Sequence, residues 1–290
     1  MQSENKGLLL GLVGVFLFSL TLPLTKIALD GFNPIFIGSA RTALAGIIAI
    51  IFILVKKIPY PKSIKFKEFL FMIPGIGFIY PIFTALALSN KLPSHAGVIL
   101  GILPLATAYF SFIYAGERPS YRFWLASIAG SLLVIGFALM DGTGSISYGD
   151  CLLFVACLAA AFAYAVGGTL SKDNKPIAII SWTLIYCLPA NIVISYYSID
   201  FRPFEVSINS WLAFIWLGIS SSYLAFFFWY GGLSYGGVAR VSQLLLLQPA
   251  FNLFLSYILL NDPLTALNLV FTFLIVLTVF IGKNQEILKA

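Results

Sequence analysis

Long apolar runs separated by short polar segments make up most of this 290-residue chain. Each run has about 20 residues, the length that a helix needs to cross the hydrocarbon core of a bilayer. The pattern therefore predicts an all-α integral membrane protein with ten transmembrane helices. The predicted helices cover residues 7–29, 34–55, 68–89, 93–115, 122–140, 148–171, 177–197, 210–233, 237–259 and 264–282.

Composition supports a membrane protein and excludes several other classes. Hydrophobic residues account for 60% of the chain and charged residues for 10%, and the mean hydropathy is +0.98. A soluble domain has about 25% charged residues, and disordered or coiled-coil proteins need many more charges than this chain carries. The segments between the runs are too short to form a soluble domain. We therefore expect a lipid bilayer around the protein, and no soluble enzyme.

The charges between the runs predict the orientation of the helices. When the ten helices are threaded alternately, 13 of the 17 lysines and arginines fall on the side of the N-terminus. Lys91 and Arg202 fall on the other side, and Lys26 and Arg41 lie within helices. Positive residues accumulate on the cytoplasmic side of membrane proteins. Both termini are therefore predicted to be cytoplasmic, in a bacterial inner membrane, and the net charge of +6 requires no nucleic-acid partner.

The two halves of the chain resemble each other at an offset of 145 residues. Each half has a helix with a proline in its middle, followed 13 residues later by an acidic residue. Five helices repeated in inverted orientation are typical of secondary transporters. We expect five-helix repeats over residues 1–145 and 146–290, which make a monomer sufficient. The matched pairs are Leu88-Ser89 with Leu233-Ser234, Pro104 with Pro249, and Gly116-Glu117 with Asn261-Asp262.

Both halves contain short motifs in a fixed order. The motifs are Phe18-Ser19, Lys26, Arg41, Ala85-Leu86-Ala87-Leu88, Pro104-Leu105, Gly116-Glu117-Arg118-Pro119, Leu217-Gly218, Ala225 to Tyr230, Pro249 and Asn261-Asp262-Pro263. Together they resemble the EamA domain of the drug/metabolite transporter superfamily. Phe18 and Tyr164 stand where that family usually has tryptophan, and Asn261-Asp262 stands where it has Gly-Glu. The resemblance implies a secondary transporter, which we expect to be an exporter, of amino acids or related small metabolites. It implies no enzyme activity and no cofactor.

Acidic residues are confined to tails, loops and helix ends, and none lies near the centre of a predicted helix. Exchange of cationic drugs for protons commonly uses a buried carboxylate, so that mechanism is disfavoured. The chain has one histidine, His95, and no nearby acidic pair, which supports neither a metal site nor a catalytic set. The cysteines, Cys151, Cys157 and Cys187, lie in apolar runs and are expected to be small core residues. An exchanger of phosphorylated or nucleotide-linked metabolites, and a channel or scramblase on the same fold, remain alternatives.

Arg41 is the most informative charged residue, because it lies about 10 Å into its helix. It is either a cation that faces a cavity and attracts an anionic substrate, or a structural arginine that bonds helix-end carbonyls. Lys26 lies near a helix end, four residues before Asp30, and is expected to form a local ion pair there. Glu117 and Asp262 are expected to cap helix ends.

Polar and aromatic side chains within the runs complete the predicted binding site. Gln248, Asn252 and Ser256 share one face of the ninth helix, and an offset of 145 residues places Thr107 on the matching face of the fourth. Such a face either lines a cavity or bonds a neighbouring helix. Aromatic residues would hold the apolar part of a substrate. The predicted substrate-binding residues are Arg41, Tyr80, Thr107, Tyr164, Trp182, Trp229, Gln248 and Asn252.

Overall fold

A computed structural model describes residues 2–61, 64–90, 93–141, 147–261, 266, 269–271, 273–274, 277–278 and 287–289. Helices dominate these residues. The α-helices are α1 (Gln2–Ser19), α2 (Thr21–Ala28), α3 (Pro34–Lys56), α4 (Phe66–Met72), α5 (Tyr80–Leu88), α6 (Pro93–Ile99), α7 (Leu103–Tyr114), α8 (Tyr121–Asp141), α9 (Tyr148–Leu170), α10 (Pro176–Tyr197), α11 (Ile208–Trp216), α12 (Ala225–Gly236), α13 (Val238–Ser242) and α14 (Gln248–Leu260). The strands are β1 (Glu117–Pro119) and β2 (Ile287–Lys289).

Several of these helices join end to end into membrane-length segments. Seven such segments in the described part of the chain are long and apolar enough to cross a membrane. Helices also occupy the fourth and fifth predicted runs. Nine of the ten predicted runs are therefore helical where the structure describes them, whereas the tenth, 264–282, lies largely outside the described residues. The seven segments are Ser3–Ala28, Pro34–Lys56, Phe66–Leu88, Tyr148–Leu170, Pro176–Tyr197, Ile208–Gly236 and Val238–Leu260.

Helix boundaries follow local capping chemistry. The Asn33 side chain accepts a hydrogen bond from the Ile35 amide, and Pro34 occupies the first turn of α3. Asn at the N-cap and Pro directly after it are both favoured at helix starts. Gly237 separates α12 from α13 with φ of +84°, a backbone conformation that glycine adopts without steric cost. The turn between these two helices therefore depends on glycine.

Four segments within the helices depart from α-helical hydrogen bonding. Ile73–Ile79 and Leu217–Leu224 are π-helical, and Leu100–Ile102 and Gln243–Leu247 are 3-10 helical. Each 3-10 segment lies directly before the helix that carries Pro104 or Pro249. Proline has no amide hydrogen and cannot bond the carbonyl four residues earlier, so the preceding turn is distorted.

Packing brings the middle of α9 and α12 into the centre of the molecule. α1 packs along α12, α3 packs along α10, and α9 packs against α5 and α7. Glycines allow the backbones of α1 and α12 to approach closely, since a Cβ added at Gly7 or Gly232 would lie within 2.5–2.7 Å of a backbone nitrogen in the other helix. Small residues at helix contacts are typical of membrane proteins.

The loops predicted for the inner side meet at one end of the helix bundle. Lys172 pairs with Glu117 at 3.2 Å, and Arg240 pairs with Glu4 at 2.9 Å. At the opposite end, the Asn33 side chain donates a hydrogen bond to Asp200 at 3.0 Å. Each of these three contacts joins segments that the charges assign to the same side.

Three details differ from the sequence-based expectation. β1 pairs antiparallel with β2, so the chain is not purely helical; the extended loop after Gly116 offers free backbone groups to the C-terminal segment. Cys151 is exposed rather than buried in the core. Lys26 donates to the Leu88 carbonyl at 3.1 Å and forms no ion pair with Asp30. The predicted cap at Asp262 lies outside the described residues, and so does the side chain of His95.

Candidate functional site

Arg41 is buried near the centre of the helix bundle. It lies two turns into α3 and is 2% exposed. The phenol groups of Tyr80 and Tyr164 lie within electrostatic reach of its guanidinium. Its Nε and Nη1 atoms have no hydrogen-bond partner among the described residues. These two atoms therefore do not bond any described helix-end carbonyl, as a structural arginine would.

An unpaired guanidinium in this position is costly. A charged residue at the centre of a membrane helix costs about 2.5–3.5 kcal/mol on insertion scales. Buried donors are almost always satisfied in folded proteins, and each exception requires an explanation. A bound anion at the Arg41 guanidinium would therefore improve the local energetics.

Distorted helix segments position Tyr80 near Arg41 and Gln248 near Tyr80. Tyr80 opens α5 directly after the π-helical segment Ile73–Ile79. Gln248 opens α14 directly after a 3-10 segment, and its side chain lies close to the Tyr80 hydroxyl. Both residues are buried, at 7% and 4% exposure. The arrangement therefore joins residues from the first and second halves of the chain.

Aromatic rings form one wall of the site. The Tyr164 ring stacks on Phe18 with centroids 5.9 Å apart and meets Trp229 edge to face at 5.5 Å. Phe226 contacts Phe18 at 5.0 Å and Tyr164 at 5.9 Å. Tyr230 packs against Phe226 at 5.7 Å. We call Phe18, Tyr164, Phe226, Trp229 and Tyr230 the aromatic cluster.

Trp229 differs from its neighbour Tyr230 in one respect. The Tyr230 hydroxyl donates to the Ala163 carbonyl at 3.2 Å. The Trp229 side chain is 0% exposed, and its indole Nε1 has no partner among the described residues. Tryptophan N–H groups usually find a partner when buried. Trp229 thus provides a second buried donor, close to Tyr164.

The other predicted site residues lie in different surroundings. Asn252 donates through Nδ2 to the Pro93 carbonyl at 3.0 Å and so ties α14 to α6. Thr107 is fully buried in α7, and its hydroxyl has no partner among the described residues. The Trp182 ring contacts Tyr60 at 4.9 Å and Tyr186 at 6.1 Å, away from the aromatic cluster.

The structure therefore groups five of the eight predicted residues and adds others. Arg41, Tyr80, Tyr164, Gln248 and Trp229 come together, whereas Thr107, Asn252 and Trp182 do not join them through any described contact. Sequence reasoning missed Phe18 and Phe226 as site residues. A signal existed for Phe18, because it occupies the position of a family tryptophan.

This set of groups has a defined chemical capacity. A guanidinium matches the geometry of a carboxylate and can bind it through two parallel hydrogen bonds. Aromatic faces hold an apolar or aromatic body. Within the described residues, no three histidine, cysteine, aspartate or glutamate side chains cluster as metal ligands would. The site is therefore suited to binding a small organic anion.

Cavities open at both ends of the bundle. One, of about 680 Å³, lies at the end that holds Asp30 and Asn261. The other, of about 310 Å³, is lined by Glu4, Glu117, Lys172 and Arg240. The residues around Arg41 lie between these ends.

Known proteins resemble this chain over almost its whole length. The model of the EamA-like transporter family matches residues 5–140 and again residues 147–281. A Bacillus subtilis protein named uncharacterized transporter YdeK is 37% identical over 90% of this chain and 91% of its own length. The aromatic amino acid exporter YddG of Ancylobacter novellus is 25% identical over 87% of this chain and 88% of its own length.

Comparison of structures gives the same fold. A crystal structure with 18% sequence identity superimposes with a TM-score of 0.76 and covers 96% of this chain and 98% of its own chain. Together with the family match in both halves and the membrane-length helices, this identifies the chain as an integral membrane protein that belongs to the EamA-like transporter family.

Proposed function

We propose that the protein is a secondary transporter that exports small organic carboxylates, amino acids or related compounds, by alternating access. The proposal rests on one observation. Arg41 is buried among the helices, and two of its guanidinium nitrogens lack partners among the described residues. A substrate carboxylate would accept hydrogen bonds from these nitrogens, and the Gln248 side chain would bond a further polar group of the substrate.

Alternating access requires two halves that move against each other around a fixed site. Support for an inverted duplication comes from the distorted segments. The π-helical segments Ile73–Ile79 and Leu217–Leu224 begin 144 residues apart, and the 3-10 segments Leu100–Ile102 and Gln243–Leu247 begin 143 residues apart. The family model also matches the chain twice. We place the two repeats at 1–145 and 146–290, in a monomer of the bacterial inner membrane with both termini cytoplasmic.

The charge of the site favours a carboxylate over a phosphorylated or nucleotide-linked substrate. A phosphate group carries more negative charge and is usually bound by several cations. Lys26, another cation within a predicted span, already donates to the Leu88 carbonyl. The aromatic cluster favours an aromatic body, and a relative at 25% identity is named as an aromatic amino acid exporter.

Counterflow in proteoliposomes tests the proposal. Vesicles are loaded with unlabelled phenylalanine, leucine, glutamate or a nucleotide sugar, and uptake of a labelled trace of the same compound is followed. We expect saturable uptake, stimulated by the internal substrate, for phenylalanine. Protein-free liposomes serve as the control. Uptake that does not saturate would indicate the channel or scramblase alternative, and silence for every compound from folded protein would contradict the proposal.

A further inference from the structure

Arg41 differs from the basic residues that form ion pairs at one end of the helix bundle. Lys172 is paired with Glu117, and Arg240 with Glu4. No described carboxylate pairs with Arg41. The acidic residues in the described part of the chain occupy the ends of helices and the loops, at Glu4, Asp30, Glu68, Glu117, Asp141, Asp150, Asp173, Asp200 and Glu205.

The lack of a carboxylate partner for Arg41 among the described residues matters most when the site is closed to both sides of the membrane. A transporter with a fixed central site passes through such a state each time that access changes. In a closed site of low dielectric, an isolated charge loses its hydration, and only a partner of opposite charge compensates for the loss. The empty closed state therefore leaves Arg41 uncompensated, whereas a bound carboxylate neutralises it.

We propose that the protein is an obligate exchanger of small aromatic carboxylates, because only the substrate-loaded site closes at an appreciable rate. This inference rests on the proposed function of the same site. The substrate carboxylate pairs with Arg41, and its ring lies against the aromatic cluster. After the substrate leaves, the empty carrier stays open to that side until another carboxylate binds. No proton or ion is needed for coupling.

The proposal predicts a large difference between two fluxes. Vesicles loaded with labelled phenylalanine are diluted into buffer that contains phenylalanine, its 2-oxo acid, phenylethylamine or nothing, with the membrane potential clamped at zero. We expect release into either carboxylate to be at least about tenfold faster than release into buffer alone, while the amine, which lacks a carboxylate, does not stimulate release. Saturable release that is equally fast into buffer alone, or stimulation by the amine, would overturn obligate exchange and leave the proposed transporter function intact.

Comparing release into phenylalanine with release into its 2-oxo acid shows whether the ammonium group of the substrate contributes to recognition. If both stimulate release, the carboxylate and ring suffice for recognition, as proposed. If only phenylalanine does, the ammonium group contributes through the faces of the aromatic cluster, and pairing of the carboxylate with Arg41 still stands. If neither does, the aromatic carboxylate class is wrong.

Arg41→Gln and Lys26→Gln form a matched pair of variants. Each removes one positive charge from within a predicted span, but Lys26 already bonds the Leu88 carbonyl. We expect Arg41→Gln to bring the ratio of exchange to net release close to one, and Lys26→Gln to keep the wild-type ratio. A high ratio in Arg41→Gln would overturn the proposal.

Thermal melting in detergent tests the same proposal without transport. Removing an uncompensated buried charge should raise the Tm of the empty protein, so Arg41→Gln should melt higher than the wild type. Phenylpyruvate, the 2-oxo acid of phenylalanine, should raise the Tm of the wild type and not that of Arg41→Gln. A folded Arg41→Gln variant that melts lower than the wild type would show that Arg41 is compensated in the empty protein and would overturn the proposal.

Discussion

Buried donor atoms distinguish the centre of this molecule from an ordinary membrane core. Arg41 and Trp229 are almost fully inaccessible, and their nitrogens at Nε, Nη1 and Nε1 lack partners among the described residues. The two side chains are linked through Tyr164, which is near the guanidinium and touches the indole ring. Both side chains therefore neighbour Tyr164.

Trp229→Phe tests the indole donor directly. The substitution keeps one aromatic ring in the cluster and removes the N–H together with the second ring of the indole. We expect KM for the aromatic substrate to rise about tenfold, the change that a loss of 1.4 kcal/mol produces. The control is Trp211→Phe, because Trp211 Nε1 already donates to the Pro203 carbonyl at 3.3 Å. KM is measured by counterflow for both variants. Equal KM values for Trp229→Phe and Trp211→Phe would mean that Trp229 is not part of the site.

Gln248 and Asn252 share a helix face in sequence but differ in their contacts. Gln248→Ala removes a side chain beside Tyr80, and we expect it to lower transport more than stability. Asn252→Ala breaks the bond to the Pro93 carbonyl, and interhelical hydrogen bonds in membranes are worth about 0.6 kcal/mol on average. Asn252→Ala should therefore lower the Tm more than transport. Transport assays and melting of the same preparations separate the two effects, and identical behaviour would contradict the distinction.

Residue identity predicted part of this arrangement. Arg41 was predicted as a site residue because it is a charge within a helix. Gln248 was predicted because it lies on a polar helix face at a position related by the repeat. Phe226 carries no polar atom, so nothing in the sequence separated it from ordinary core residues, whereas the only signal for Phe18 was its place at a position where the family usually has tryptophan. Trp182 has the same chemistry as Trp229, but its neighbours depend on the packing of α10 with the loop that carries Tyr60, which periodicity does not determine.

Helix packing at the element scale depends on glycines that the sequence reading did not single out. Gly7, Gly11 and Gly14 on α1 face Gly232, Gly236 and the Trp229 backbone on α12. α12 carries Trp229 and Tyr230, so the separation of α1 and α12 sets the position of part of the aromatic cluster relative to Phe18.

Two adjacent glycines in α12 provide a test of this contact. A Cβ at Gly232 would lie 2.7 Å from the Gly11 backbone nitrogen and 2.9 Å from the Gly7 carbonyl oxygen, whereas a Cβ at Gly231 would meet only the end of the Leu10 side chain at 3.5 Å. Backbone atoms cannot move aside as a side chain can. We expect Gly232→Ala to lower the Tm clearly and Gly231→Ala to leave it unchanged or raise it, since alanine favours helix. Equal melting temperatures would contradict the close approach of α1 and α12.

The sequence predicted where helices occur but not how their backbones are bonded. Apolar runs of about 20 residues identify membrane helices, because every backbone group must be satisfied internally in lipid. The prolines indicated local disruption near residues 104 and 249, where 3-10 segments occur. The π-helical segment Leu217–Leu224 contains no proline. It packs against α1, α2 and α3, and no local pattern encodes such contacts.

At the scale of the whole molecule, polar contacts at one end join the first and second halves of the chain. Glu117, in the loop after α7, is 2% exposed. Its carboxylate accepts hydrogen bonds from the amides of Val238 and Ala239 at 2.9 Å and 2.7 Å, at the start of α13, and pairs with Lys172. The expectation that Glu117 caps a helix end is thus confirmed, and the helix that it caps belongs to the other half.

Glu117→Ala tests how much this contact holds the halves together. Loss of the carboxylate leaves two buried amides and one cation without their acceptor, and an unsatisfied buried group costs about 1–3 kcal/mol. Glu205→Ala is the control, because Glu205 forms an exposed pair with Arg202, and exposed pairs contribute about 0.2–1 kcal/mol. We expect Glu117→Ala to lower the Tm by several degrees and Glu205→Ala to leave it nearly unchanged.

Because the Glu117 contact closes the end of the bundle near Arg240, its loss should also make a cysteine placed at Ser234 react faster with a thiol reagent from that side. Unchanged melting and unchanged labelling would mean that the halves are held together by helix packing alone.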